Sequence, residues 1–537
     1  MGALEQDVPS PEALASPGRR RLRNRALSLA ALLFGVWPPG ATFAAQAQAA
    51  LQRAATLVQQ GRLQEADQQA QLALSDPETR AAACSVLGAI RVQQDRLEEG
   101  AELLREAVRL DPQLLGAQLN LAQVYSLQGK TEAALPLFRR VLERDGSNAA
   151  ARMALARAET ENGNYKASLE LARPALAAFK LSPDGVLVLA IDFLKTGDRS
   201  SAAALVADSK RLGPVSPAWS ASFAEILVKG GLVAEGTSVL ERARTADPSS
   251  YELAFALGGA YVVKDDPARA LEAYDAALDL RPGSLAALRQ AAVVAERHGE
   301  LERSLSYWVR AKKLAPDDPE VLLGFGRVCL EMDLLEDAEA ALVRAADMKP
   351  GEPAYQYTLA VAKVGKRQYE AAQALIEPLV AKRPANAQLQ YALGSVLYMQ
   401  GHLAQAEARL RESLRLDANQ VASPYYLALV ARDQGRDAEA VARLEDLLRR
   451  YPDHASACEV LGGLLMNSGR YEEAERLLRK AVELNPKSVK ANYQLGLLLA
   501  RLGRREEADK QLALAKSLRE EDDAGSKLQL RLFDPEG

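Results

Sequence analysis

Residues 251–284 read YELAFALGGAYVVKDDPARALEAYDAALDLRPGS, and residues 455–488 read ASACEVLGGLLMNSGRYEEAERLLRKAVELNPKS. Laid over each other, the two stretches match in kind rather than in letter. A small residue stands at position 8 (Gly258, Gly462) and another at position 20 (Ala270, Ala474). Larger apolar residues recur around them three and four apart, the spacing of one face of an α-helix. Pro282 and Pro486 both occupy position 32. The period of 34 holds from Ala81 to Asp522 through thirteen consecutive copies without insertion or deletion, and an earlier copy starts near Ala47. A fixed period of this length predicts an all-α array in which each helical hairpin buries its apolar face against its neighbours.

The phase gives each position a role. Copies two to fourteen start at Ala81, Leu115, Ala149, Pro183, Pro217, Tyr251, Leu285, Pro319, Pro353, Ala387, Val421, Ala455 and Val489. Position 8 is always Gly or Ala, and position 20 is always Ala, Gly or Ser. Two obligatory small residues suit antiparallel helices that cross too closely for a larger side chain. Position 15 is Gly in nine copies, among them Gly129, Gly299 and Gly503, which predicts a left-handed residue ending the first helix. Position 32 is Pro in nine copies and stops the second helix. Copies four to six keep the pattern least well: Glu159 replaces an aromatic, Lys180 replaces the Pro, and Pro174 falls inside a second helix. A bend or a softer seam between Ala149 and Ser250 is expected from this, unless a kink at that position is tolerated, as Pro378 in the same register slot suggests.

The order L-G-x-x-Y…G…A-x-x-x-F/Y…A…P resembles the tetratricopeptide repeat, and Leu257, Gly258, Tyr261, Ala270, Tyr274, Ala277 and Pro282 carry it nearly in full. The resemblance covers about nine-tenths of the 537 residues. It implies a right-handed α-α superhelix of about fourteen repeats over residues 47–522, with a leader over 1–46 and a polar tail over 523–537. It also implies that positions 2, 5, 9, 12 and 13 of the first helices point into a concave groove.

At those positions the C-terminal half is rich in tyrosine. Position 5 is Tyr357, Tyr391, Tyr425 and Tyr493, joined by Tyr398 at position 12 and Tyr426 at position 6, and interrupted by Glu459. Earlier copies place Leu119, Met153, Leu187, Phe255 and Leu323 in the same slot. Arg289, Arg297, Arg327, Arg432, Lys490 and Arg501 add positive charge there, offset by Glu296, Glu320, Glu331 and Asp433. Two readings stand for the tyrosines. They form a recognition ladder for an extended peptide or a partner helix, since tyrosine offers contact area with a polar tip; or they pack against neighbouring copies. Two binding modes known in the family lack their residues here. The clamp for chaperone carboxylates needs Lys at position 5 and Asn at position 9, and an asparagine ladder needs Asn at position 6, where Asn120 stands alone.

The remaining features narrow the function class. Net charge is −4 with mixed signs, which gives no general affinity for nucleic acid. Hydrophobic residues make up 48% and aromatics 5%, as expected of hairpins closed by Ala and Leu. The P-loop, H-E-x-x-H and G-x-S-x-G patterns are absent. His298, His402 and His454 fall in turns of different copies without metal spacing. Cys84, Cys329 and Cys458 fall several copies apart at helix-packing positions and read as small core residues. No catalytic group, metal or cofactor is expected. Arg19, Arg20, Arg21, Arg23 and Arg25 precede an apolar run from Ala26 to Trp37 and then small residues, the order of a secretory signal peptide cleaved near Ala44–Ala47. The run is too short to span a bilayer, so the mature chain is expected to carry no membrane span; an uncleaved leader acting as a tether is the alternative. The tail ends with Leu528, Leu530, Leu532 and Phe533 and is read as a cap on the last helix or as a disordered end. These readings point to a non-enzymatic scaffold or adaptor in the cell envelope that binds protein or peptide partners. The alternatives are a soluble periplasmic peptide-binding or holding-chaperone module, and the interaction arm of a separate enzyme or exopolysaccharide-export complex. Oligomeric state is not encoded in any of these features.

Overall fold

The computed structural model describes residues 42–523. They form fourteen helical hairpins, and no strand occurs among the described residues. Contacts divide them into two units, copies one to seven up to residue 282 and copies eight to fourteen from residue 283. A typical copy has a first helix of 13 residues, Leu285–Arg297, and a second of 14, Leu301–Leu314.

The turn inside each hairpin is left-handed at position 15, as the glycines predict. Gly129, Gly299 and Gly503 have φ between 75° and 78°. Four copies adopt the same turn without glycine, at Asp95, Asp265, Asp333 and Arg367, with φ from 57° to 68°. Asp tolerates this region through local hydrogen bonding, whereas Arg367 gains nothing comparable. The close crossing is also present. A Cβ on Gly88 would lie 2.7 Å from Leu104 and 3.1 Å from the carbonyl of Gly100, so positions 8, 20 and 24 fill one another's space. In other copies position 24 is the plug: Leu342 faces Gly326, Leu410 faces Gly394 and Tyr274 faces Gly258.

Between copies, two recurrent polar devices close the joints. Position 34 caps the following first helix by accepting its third N–H, as Ser216, Ser284, Asn386 and Ser488 do. Position 4 donates back to the carbonyl of position 32: Gln118 to Pro112 at 2.6 Å, Arg152 to Gly146 at 2.7 Å, Gln390 to Pro384 at 2.9 Å and Asn492 to Pro486 at 3.0 Å. In these four joints the bond satisfies the carbonyl of the turn two residues past the second helix.

In the N-terminal unit the first helix is Thr42–Gln59, so it begins ahead of Ala47, where the register starts the first copy. The segment Ala44–Ala47 lies inside this helix and Ala47 is buried, while residues 1–41 of the expected leader lie outside the described residues. In the stretch where the repeat pattern is weakest, the second helix of copy four is interrupted by a 3-10 turn at Arg173–Ala175. Pro174 removes a helical N–H, and the short helix Leu176–Lys180 that follows buries Phe179 completely. Phe179 stands at position 31, where the other copies mostly carry a polar residue. Its backbone packs so tightly on Gly185 that a Cβ there would sit 2.4 Å from the Phe179 carbonyl oxygen. Pro378, in the same register slot, leaves Tyr369–Lys382 unbroken. The slot alone therefore does not decide the break, which in copy four comes with the complete burial of Phe179.

In the C-terminal unit the copies are more regular. Trp308 of copy eight lies over Gly324 of copy nine, where a Cβ would come within 2.2 Å of the indole. The final helix, Arg505–Asp523, carries Gln511 and Lys516 where copy thirteen has Leu477 and Val482, which gives it a more polar outer face. The tail from residue 524, with its expected cap, lies outside the described residues.

Candidate functional site

The position-5 tyrosines do not form one uniform row. Tyr357, on Pro353–Gly365, is only 4% exposed, and its hydroxyl accepts from Gln388 of the next copy at 3.3 Å. Gln388 in turn accepts from Gln420 at 3.1 Å. Tyr357 is thus held by packing. Tyr391 and Tyr398, on Ala387–Met399, both meet Tyr426 of Ala422–Asp433 edge-on, with centroids 5.7 and 5.6 Å apart. Tyr425 meets Tyr426 edge-on at 5.7 Å and lies 5.2 Å from the ring of His454. Edge-to-face contacts of this kind add stability beyond the area they bury. Tyr493, on Val489–Arg501, is 51% exposed and joins none of these pairs. The rings of Tyr391 and Tyr398 pack forward on Tyr426 of the copy that follows, and no copy follows Tyr493 among the described residues.

The polar rim of the cluster is one connected network. Tyr398 donates its hydroxyl to Asp433 at 2.7 Å, Arg432 donates to Asp433 at 2.7 Å, and Arg432 also reaches the Tyr398 hydroxyl at 3.3 Å. Burial works to raise the Asp433 carboxyl, but its bonds from Arg432 and Tyr398 outweigh it and hold the group below the usual carboxylate range. Burial pushes the phenols of Tyr357, Tyr391, Tyr398 and Tyr426 up, and that of Tyr425 to about 12. All five are neutral hydrogen-bonding groups at neutral pH and not nucleophiles. Glu459, which breaks the tyrosine series, accepts from Ser488 at 2.8 Å and pairs with Lys490 at 2.9 Å.

The expected arginines split between two places. Arg432 belongs to the tyrosine cluster. Arg289 pairs with Glu320, and Arg327 pairs with Glu296 at 2.6 Å, both in copies eight and nine. Glu296 is only 8% exposed, and burial raises its pKa against the opposing pull of Arg327. These arginines are committed to ion pairs within the protein rather than offered as open positive charge.

Other side chains singled out earlier fall into structural roles. The three cysteines are buried free thiols, and burial pushes Cys329 to about 12. His298 and His402 are exposed in turns, but His454 is not a simple solvated turn residue. Its Nδ1 caps a helix by accepting from the Ala457 N–H at 3.1 Å while its ring packs on Tyr425. No set of three metal-ligating side chains is grouped among the described residues, and no helix among them is long and apolar enough to cross a membrane.

One polar site escaped the sequence reading. Asp192, fully buried on Pro183–Thr196, accepts from Thr160 at 2.8 Å, and the Ser168 hydroxyl lies 3.0 Å from that of Thr160. Its other carboxyl oxygen accepts no hydrogen bond among the described residues. Burial raises its pKa from 3.8 to about 6, with Ser168 and Thr160 pulling the other way. The signal was present in the sequence: position 10 is apolar in every other copy from Ile90 to Leu498.

Comparison with known proteins gives the following. Two family models described as tetratricopeptide repeat match the chain, one over residues 119–184, 221–284, 289–353, 357–421 and 425–487, the other over 465–532. No curated protein matches it. Among solved structures, it is similar to a tetratricopeptide repeat protein from Parabacteroides merdae, with 17% identity over 45% of this chain and 96% of that one and a TM-score of 0.39. It is also similar to yeast Tom70, with 16% identity over 89% and 96% and a TM-score of 0.36, and to the Cut9–Hcn1 hetero-tetramer of the APC/C, with 13% identity over 82% and 95% and a TM-score of 0.39.

Proposed function

The chain belongs to the tetratricopeptide repeat family, whose members mediate protein–protein interaction, and from that premise we propose that it is a non-enzymatic adaptor in the cell envelope that binds an extended partner segment along the first helices of copies eleven to fourteen. One observation carries the location: Tyr391, Tyr398, Tyr425 and Tyr426 form a partly exposed aromatic cluster rimmed by Arg432 and Asp433, with the exposed Tyr493 two copies on. Such a surface offers ring edges and hydroxyl tips together, the composition that recurs at recognition sites. Tyr357 is excluded from it by burial and serves the core. Export rests on the order of charges and apolar residues in the leader; a periplasmic peptide-binding or holding-chaperone role, or service as the arm of an enzyme or exopolysaccharide-export complex, places the same surface in a different pathway.

The test is a photo-crosslinking residue placed at Tyr493 in the full-length chain expressed in its own host, with mass spectrometry of the adducts. Recovery of one partner through a defined linear segment, lost in Tyr398→Ala plus Tyr425→Ala while thermal melting stays within a few degrees, supports the reading. Unchanged crosslinks in that double variant refute the tyrosine site. Recovery of the chain only in the cytosol with its leader intact refutes the envelope location.

A further inference from the structure

Copy four leaves open a seat that copy seven fills with its own tyrosine. In copy seven, Tyr261 at position 11 is 7% exposed. Its hydroxyl donates to Glu241, at position 25 of the preceding copy, at 2.8 Å, and the Arg269 guanidinium lies 5.7 Å from the ring centroid. The seat thus takes a ring with a carboxylate at its hydroxyl and a cation beside its face. In copy four, position 11 is Glu159, and its carboxylate turns aside to accept from Asn164 at 2.8 Å. What remains is a surface notch of about 370 Å³ lined by Arg139, Leu142, Glu143, Leu155, Glu159 and Leu171. Arg139 stands at position 25 of the preceding copy, the place Glu241 holds against Tyr261. Arg139 and Glu143, one turn apart, are both exposed and make no ion pair among the described residues. Copy four is also short of bulk at position 24, where Ala172 replaces the larger plug of copies two, three and five to fourteen.

We propose that this notch binds a tyrosine side chain presented by an extended partner peptide. The three leucines form the floor for the ring, Arg139 covers its face, and Glu143 or Glu159 accepts the phenolic proton. The chemistry of the occupied seat suggests the occupant: a cation and a carboxylate beside an apolar floor surround Tyr261, and copy four offers the same set with the ring missing, although the cation now stands at position 25 (Arg139), where copy seven has Glu241, and the carboxylates at Glu143 and Glu159. The site lies in the N-terminal unit and does not depend on the tyrosine cluster of copies eleven and twelve.

The experiment is a titration of the full chain, methyl-labelled at leucine, with N-acetyl-L-tyrosinamide, alongside its phenylalanine and leucine analogues. The expected result is saturable shifts of the Leu142 and Leu171 methyls with a dissociation constant on the order of millimolar, as befits a ligand of this size. The phenylalanine analogue binds several-fold more weakly for want of the hydroxyl, and the leucine analogue more weakly still. Glu159→Tyr fills the seat and abolishes the shifts. Arg139→Met, an exposed change that leaves the core alone, weakens binding by about two- to five-fold. Absence of saturation, equal binding of the leucine analogue, or full binding by Glu159→Tyr overturns the proposal.

Discussion

Replacing Asp192 with Asn should make the middle of the N-terminal unit nearly indifferent to pH between 4 and 7. In the native chain the unfolded carboxyl ionises near 3.8, whereas the folded one, fully buried, holds its proton to about 6. Below pH 4 both states are protonated, and the group carries no penalty. As pH rises from 4 to 6 the unfolded state loses its proton first and is favoured. Stability therefore falls through this window and is flat above it, opposite to the trend of a carboxylate held by a cation. The difference of about 2.2 pH units corresponds to a loss of about 3 kcal/mol by pH 7 at 1.36 kcal/mol per unit. The amide introduced by Asp192→Asn keeps an acceptor for Thr160 and cannot ionise. Burying that amide adds a constant cost, so the quantity to read is the change in the native-minus-variant difference with pH. Long repeat arrays need not unfold in one step, so the assay is hydrogen exchange of amides in copies four and five at pH 4.5, 5.5, 6.5 and 7.5. Burial in place of a charge partner also predicts that the effect survives high salt. Parallel pH curves for the two proteins would refute the reasoning.

Two further outcomes follow from backbone and packing. Arg367→Gly relieves a left-handed residue at φ 57° and should stabilise the C-terminal unit by about 0.5–1 kcal/mol in urea unfolding, after the entropy cost of glycine is deducted; a destabilised variant would contradict it. Gly324→Ala drives a methyl into the Trp308 indole, where the nearest ring atom is 2.2 Å away, and should cost about 1–3 kcal/mol. Adding Trp308→Phe should return part of that loss, and failure of the double variant to recover any of it would remove Trp308 from the account.

The period made the hairpins legible, because every copy reports the same spacing and errors in one are corrected by the others. Left-handed turns were legible from glycine for the same reason. The polar joints were not: Gln118, Arg152, Gln390 and Asn492 share a position and a partner but differ in type, so only the geometry unites them. The break at Pro174 was half legible. The proline is visible, but Pro378 shows that it does not suffice, and the burial of Phe179 that goes with the break is a tertiary fact. The tyrosine ladder was legible as composition, but which of its rings are covered was not. Position 5 faces the same way in each copy, yet what covers it varies: Gln388 of the next copy closes over Tyr357, Tyr426 and His454 of its own copy pack on Tyr425, and Tyr493 has no following copy among the described residues.

That forward direction of packing also decides where the array could be cut. A chain ending before Val421 would lose Tyr426, Asp433 and Arg432 together, leaving Tyr391 and Tyr398 bare beside Gln388. Such a fragment would end on an aromatic face and invite self-association. Removing copies from the other end, up to the one that carries Tyr357, leaves these ring pairs covered as they are. In shortened or permuted versions of this protein, the two ends are therefore not equivalent: copies can be shed from the front with the ring stack intact, whereas shedding them from the back turns an internal seal into adhesive.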